Sequence, residues 1–244
     1  QFVEARALYE QICALDQSDA EAESALGFVE ANLGNFDKAE TCFRRACTLA
    51  PELPYPQFYL GGVLISQKRL AEAVEPLRAC ARLKPDFFPG HLTLGNVLYG
   101  LGDYSGAAGA YERVTKLKPD QGDAHHGLGR SLLALGGLEE ALVSLRTAAQ
   151  LLPQNVDALC DLARILVLLG RYDEAEKYFR RSAELQPDLP LAIAGLASIC
   201  ERRGEIDRAF AIIQPLIEAG VRHGAVAQLF ARVCRRLGRC AQAV

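Results

Sequence analysis

The chain is most informative at first in what it lacks. It has no Met and no Trp, and only 6 of its 27 basic side chains are Lys. Eight cysteines (13, 42, 47, 80, 160, 200, 234 and 240) include no CxxC pair. A zinc site or a compact disulfide framework would need such spacings. The cysteines therefore read as small buried hydrophobes in a reducing compartment, and no metal or cofactor is expected. No apolar run approaches the roughly 20 residues needed to span a bilayer. A net charge of −3 and a pI near 5.9 give no global attraction to nucleic acid or anionic lipid. No secretory signal is present at Gln1, and with the reducing compartment that the cysteines suggest, a cytoplasmic location is the expectation. The missing initiator Met and a start in mid-pattern lead us to expect the true N-terminus upstream.

What is present is a period. Leu94-Gly95, Leu101-Gly102, Ala107, Leu117 and Pro119 recur 34 residues later as Leu128-Gly129, Leu135-Gly136, Ala141, Leu151 and Pro153. A fixed repeat of this length marks an array of helical hairpins, each in contact only with its neighbours. Numbering the positions from Ala20 as phase 1, phase 7 is Leu in all six units, at 26, 60, 94, 128, 162 and 196. Phase 8 is always small: Gly27, Gly61, Gly95, Gly129, Ala163, Ala197. Phase 15 is Gly except for Lys68, and phase 20 is always Ala. Phase 32 is Pro until Val221 breaks the series. With half its residues apolar, the chain can fill a continuous core.

The order of residue types predicts an all-α fold. Each unit reads as a first helix over about phases 2–14, a tight turn, and a second helix over about phases 18–31. Gly at phase 15 can take the left-handed conformation that ends the first helix. Asp37, Glu139, Asp173 and Asp207 at phase 18 suit the positive end of the second. Pro at phase 32 stops it, and Pro76 and Pro215 each remove one bond within it. The small residues at phases 8 and 20 let the two helices approach closely. Residues 1–19 supply the second helix of a truncated unit. Six units follow, at 20–53, 54–87, 88–121, 122–155, 156–189 and 190–223, with a partial seventh at 224–244. Neither end has a capping helix, so the chain reads as a piece of a longer protein whose bare ends could self-associate.

These residues resemble the tetratricopeptide-repeat (TPR) family over nearly the whole chain. The resemblance implies a right-handed superhelix of antiparallel helix pairs that binds an extended peptide in its concave groove. Phases 2, 5, 9, 12 and 13 of the first helices would line that groove. Carried onto this chain, they place Tyr55, Phe58 and Ile65 in the second unit and Leu92, Asn96 and Tyr99 in the third. The fourth gives Asp123, His126, Arg130 and Leu133. The fifth gives Asp157, Cys160, Arg164 and Val167. The sixth gives Ser198, Glu201 and Arg202, and the partial seventh Arg232, Arg235 and Arg236. Aromatic residues in the N-terminal half offer contact area at low entropy cost. Arg130 and Arg164 share phase 9, and a guanidinium fork suits a carboxylate. A partner with apolar side chains at one end and an acidic group at the other is the expectation. The alternative is that both arginines pair internally with Asp123, Asp157 or Asp161.

Two specialised versions of the family do not fit. The chaperone-binding clamp wants Lys at phase 5 beside Asn at phase 9, but Leu92 stands beside Asn96. The Asn ladder of O-linked N-acetylglucosamine transferases at phase 6 is replaced by Ala25, Tyr59, Thr93, Gly127, Asp161 and Gly195. His125-His126 with Asp123 and Cys160 is the one cluster with a catalytic look. However, His126 and Cys160 stand one repeat apart, too far for a nucleophile and its base, so no enzyme is expected within this stretch. His125 and His91 read as packing residues. Arg202-Arg203 and Arg235-Arg236 read as solvated helix faces. The run Cys234-Arg235-Arg236-Leu237-Gly238-Arg239, with its counterpart from Gly195 to Gly204, is similar to TPR regions preceding sulfotransferase domains in some bacterial proteins. That similarity implies an alternative: a non-catalytic arm of a larger bacterial enzyme, of sulfotransferase or glycosyltransferase type.

Overall fold

A computed structural model of the chain describes residues 2–221 and 224–238. Cys240, His223 and the closing residues of the partial seventh unit lie outside the described residues. Among the described residues the only regular structure is helical. Ahead of the repeats stands α1 (Phe2–Leu15). The first helices of successive units are α2 (Ala20–Asn32), α4 (Pro54–Ser66), α6 (Phe88–Gly100), α8 (Gly122–Ala134), α10 (Val156–Leu168), α12 (Pro190–Arg203) and α14 (Gly224–Arg236). The second helices are α3 (Phe36–Leu49), α5 (Leu70–Leu83), α7 (Tyr104–Leu117), α9 (Leu138–Leu151), α11 (Tyr172–Leu185) and α13 (Ile206–Glu218). Helices pack in sequence order as hairpins. By contact the chain forms two compact units, 1–127 and 128–244, with the division inside α8.

The turn between paired helices follows one hydrogen-bond scheme. In the first, Gly34 N–H donates to Ala31 O and Asn35 N–H to Glu30 O, at 3.0 and 2.9 Å. This is the Schellman pattern, which requires a left-handed residue just past the helix. Gly34, Gly102, Gly136, Gly170 and Gly204 supply it, with φ between +74 and +86°. Lys68 stands in the same place with φ +63°. A side chain there costs roughly 1–2 kcal/mol, of which glycine's extra unfolded-state freedom returns about 0.5–1 kcal/mol. Lys68→Gly is therefore expected to raise stability by about 0.5–1 kcal/mol in urea unfolding. A loss would show that the Lys68 side chain makes a compensating contact.

The helices begin and end one residue earlier than the sequence pattern suggests. Most first helices run over phases 1–13 and most second helices over 17–30. Proline acts here through its neighbour. Ala50, Lys84, Lys118, Leu152 and Gln186 each precede a phase-32 proline, and each takes an extended φ between −122 and −140°. The proline ring disfavours the helical conformation of the residue before it. Where the proline is missing, α13 ends instead on Ala219 and the left-handed Gly220, φ +71°. Both α5 and α13 run through their internal prolines. Asp19, Asp103 and Asn155 cap helix starts by accepting from the backbone N–H three residues on, at 2.9–3.0 Å.

Phase 24 decides how the hairpins fit together. In the first unit, a Cβ added to Gly27, Gly61 or Gly95 would lie 3.0, 2.7 or 2.8 Å from Phe43, Leu77 or Tyr111. In the second unit, one on Gly129 would lie 2.6 Å from Leu145. The phase-8 glycines are thus seats for one large side chain from the partner helix. The same side chain also meets phase 6 of the next repeat. There a Cβ on Gly127 would overlap Tyr111, and one on Gly195 would overlap Phe179. Phe43 meets Tyr59 instead, with the rings stacked at 5.6 Å.

Ion pairs join successive repeats within each unit. In the first, Arg69 binds Glu40 of the preceding repeat at 2.6 Å. In the second, Arg203 binds Glu176 at 2.8 Å and Asp173 at 2.5 Å. Glu30 is a buried exception to the apolar phase 11, satisfied by the Asn35 amide at 2.6 Å. Cys80, Cys160, Cys200 and Cys234 are buried, and all seven described cysteines are free thiols. Burial pushes Cys42 up to about 12 and Cys47 and Cys80 up to about 11, so these thiols stay protonated at neutral pH.

Candidate partner-binding grooves

In the first unit the exposed face of the first helices carries two adjoining aromatic pockets. One, about 450 Å³, is walled by Tyr9 of α1, Phe28 of α2 and Tyr55 and Tyr59 of α4. The other, about 250 Å³, lies between Phe28, Phe36, Phe58 and Tyr59. Phe28 and Tyr59 divide them, ring centroids 5.5 Å apart and edge to face. Tyr55 and Phe58 lean on Phe87 at 5.5 and 5.2 Å, both nearly perpendicular. Lys84 donates to the Tyr55 hydroxyl at 2.6 Å and lies 4.8 Å over its ring. These contacts fix the positions of the rings.

Other expected groove residues of this unit make different contacts. The Asn96 side chain accepts from the Tyr111 hydroxyl at 2.7 Å, which ties α6 to α7. Tyr99 packs edge to face on Tyr104 at 5.3 Å. Ile65, Leu92 and His126 are half-buried and line neither pocket. The ring Nε2 of His91 and of His125 each stands 3.0–3.1 Å from the carbonyl of the proline ending the preceding repeat. Phe28, Tyr59 and Tyr9 are pocket residues that the reading of the sequence left out. Phase 9 of the first repeat is Phe28, so the same phase rule applied one unit earlier finds it.

In the second unit the candidate groove carries arginines paired to recessed acids. Asp161, buried at phase 6 of α10, accepts from Arg164 at 2.8 Å and pairs with Arg130 at 3.5 Å. Of the three candidate acids, these pairs fall on Asp161. The guanidiniums are not thereby hidden. The Arg164 side chain is 51% exposed against 10% for Asp161, so two cations share one recessed anion. One repeat beyond Ser198, Arg232 makes two bonds to Glu201 at 3.0 and 3.2 Å. Those bonds hold the Arg232 guanidinium above its ordinary value. Arg236 donates to the Glu201 carbonyl at 3.0 Å.

Cys160 does not line this groove. Its thiol is fully buried in the core of the second unit. Burial raises its pKa, with a Ser182 hydrogen bond opposing. Phase 5 of α10 turns toward Ser182, which hydrogen-bonds the thiol, and into the core that also holds Ala192. Leu133 is half-buried against the same core. Val167 and Ser198 do border a cavity, described below. Among the described residues no three His, Cys, Asp or Glu side chains are placed to hold a metal ion. No described helix is long and apolar enough to cross a membrane.

Helix pairs of constant length, glycine-ended turns and small residues at the crossings define a helical-repeat scaffold. Profiles described as tetratricopeptide repeat match residues 20–53, 92–156, 132–191 and 170–233, most of the chain. The chain belongs to the tetratricopeptide-repeat family, whose members act as protein-interaction scaffolds. Solved structures agree on the fold. One is YrrB, described as a TPR protein with an unusual peptide-binding site. It is 19% identical, with a TM-score of 0.71 over 76% of this chain and 95% of that one. A tetratricopeptide repeat protein from Parabacteroides merdae is 18% identical, with a TM-score of 0.72 over 93% and 90%. The pilF protein of Pseudomonas aeruginosa is 17% identical, with a TM-score of 0.69 over 89% and 98%. A search of curated proteins by sequence found no match.

Proposed function

We propose that this protein is a non-catalytic scaffold that holds an extended partner segment on the faces of its first helices. Apolar side chains would seat against Tyr55 and Phe58, and an acidic group would meet Arg130 and Arg164. The observation that carries this reading is the contrast between the two grooves. One is built from rings, whereas the other has two guanidiniums standing over one recessed carboxylate. The YrrB precedent supports peptide capture by a scaffold of this fold.

The test is binding of peptide arrays to the purified chain, followed by titration of the strongest ligands. Phe58→Ala and the Arg130→Glu/Arg164→Glu pair are each expected to weaken binding about tenfold or more, since a well-placed anchor contributes 1–2 kcal/mol. Added salt is expected to weaken only the acidic contribution. Unchanged affinity in both variants would remove the groove from the reading. A bacterial enzyme arm of sulfotransferase or glycosyltransferase type is the second reading, resting on the arginine-rich run of α14. It predicts that the chain binds nothing until joined to its catalytic neighbour.

A further inference from the structure

The sixth repeat is hollow where its neighbours are filled. At phases 5, 6 and 9 the fifth repeat carries Cys160, Asp161 and Arg164, and the partial seventh carries Gln228, Leu229 and Arg232. The sixth carries Ala194, Gly195 and Ser198. The missing side chains leave a cavity of about 260 Å³. The ring of Phe179 lies at its base, packed against Gly195 and almost wholly buried. Val167, Leu191 and Leu229 make apolar walls, while Arg164 and Arg232 stand on opposite sides. This is below the roughly 300–1,000 Å³ of pockets that enclose drug-sized ligands. One large side chain would fill it.

The rim carries the second half of the argument. Asp161 fixes Arg164 and Glu201 fixes Arg232, but both acids are recessed and both guanidiniums are about half exposed. Asp161 is also shared with Arg130. Guanidiniums held in one rotamer by buried partners present their remaining N–H groups at little entropic cost. An apolar floor between two fixed cations complements a large apolar side chain with carboxylates beside it.

We infer that the cavity between α10, α12 and α14 seats one phenylalanine- or leucine-sized side chain of a partner segment, with Asp or Glu next to it in sequence. The apolar group lies among Val167, Leu191 and Leu229, and the adjoining carboxylates meet Arg164 and Arg232. This rests on the scaffold reading above and names the short sequence the second unit selects.

The experiment is fluorescence-anisotropy titration of the full chain with labelled seven-residue peptides centred on Glu-Phe-Glu, Glu-Ala-Glu and Lys-Phe-Lys. Glu-Phe-Glu is expected to bind at least about tenfold tighter than either control. Ser198→Phe should fill the cavity and reduce that binding about tenfold or more. The chain already carries a phenylalanine at this phase, Phe28, so the variant is expected to fold. Arg164→Gln, which leaves Asp161 its contact with Arg130, should weaken Glu-Phe-Glu while failing to weaken Lys-Phe-Lys, which has no carboxylate to lose. Equal binding of the three peptides, or wild-type affinity in a folded Ser198→Phe, overturns the inference. If Ser198→Phe keeps its affinity for a segment that Phe58→Ala loses, the cavity reading fails and the scaffold reading survives. If no array peptide binds at all, both fail.

Discussion

Replacing Gly195 by threonine is expected to cost about 1–3 kcal/mol in urea unfolding, because any Cβ there overlaps the Phe179 ring. The loss should largely vanish in a Phe179→Leu background. The second repeat carries Leu77 at the phase of Phe179, and the third carries Thr93 at the phase of Gly195. The double variant would therefore copy a pairing the chain already uses. Phe179→Leu alone should cost about 1 kcal/mol through the space it leaves. The cycle is thus expected to show favourable coupling of about 1 kcal/mol or more, as for residues in direct contact. Additive losses would mean that the ring moves aside freely and that Gly195 is not its seat.

The second large effect separates two leucines that look alike in the repeat pattern. Leu145→Ala is expected to cost about 2–5 kcal/mol. Leu145 is 0% exposed and fills the space over Gly129. Leu135→Ala should change stability by no more than about 0.5 kcal/mol. Leu135 is 53% exposed although it belongs to the recurring Leu-Gly pair. Its counterpart Leu101 is exposed too. The glycine of that pair is what the fold uses, as the left-handed end of the first helix. Comparable losses at the two positions would mean that the exposed leucines pack against something outside this chain.

Much of this was legible from spacing. The helix pairs, the role of Gly102 and Gly136 and the small residues at the crossings all follow from local rules that repeat every 34 residues. The phases expected to line a groove include Tyr55, Phe58, Arg164 and Ser198, and each of these borders a cavity. Other features involve pairs of residues on different helices, for which a phase has no notation. Asn96, expected on the groove, accepts a hydrogen bond from Tyr111 of the next helix. Cys160 was assigned to the groove wall and lies in the core. Glu30, at a position otherwise apolar, is buried because Asn35 reaches it.

The sequence by itself determined the class of architecture, since periodic apolar positions and glycine-ended turns act over a few residues. Only the tertiary structure decided which arginines share Asp161 and which leucines are exposed. It also decided that Ala194, Gly195 and Ser198 together border a cavity between Arg164 and Arg232. Those outcomes depend on how far side chains from successive hairpins reach into the same space, and that distance is set by packing.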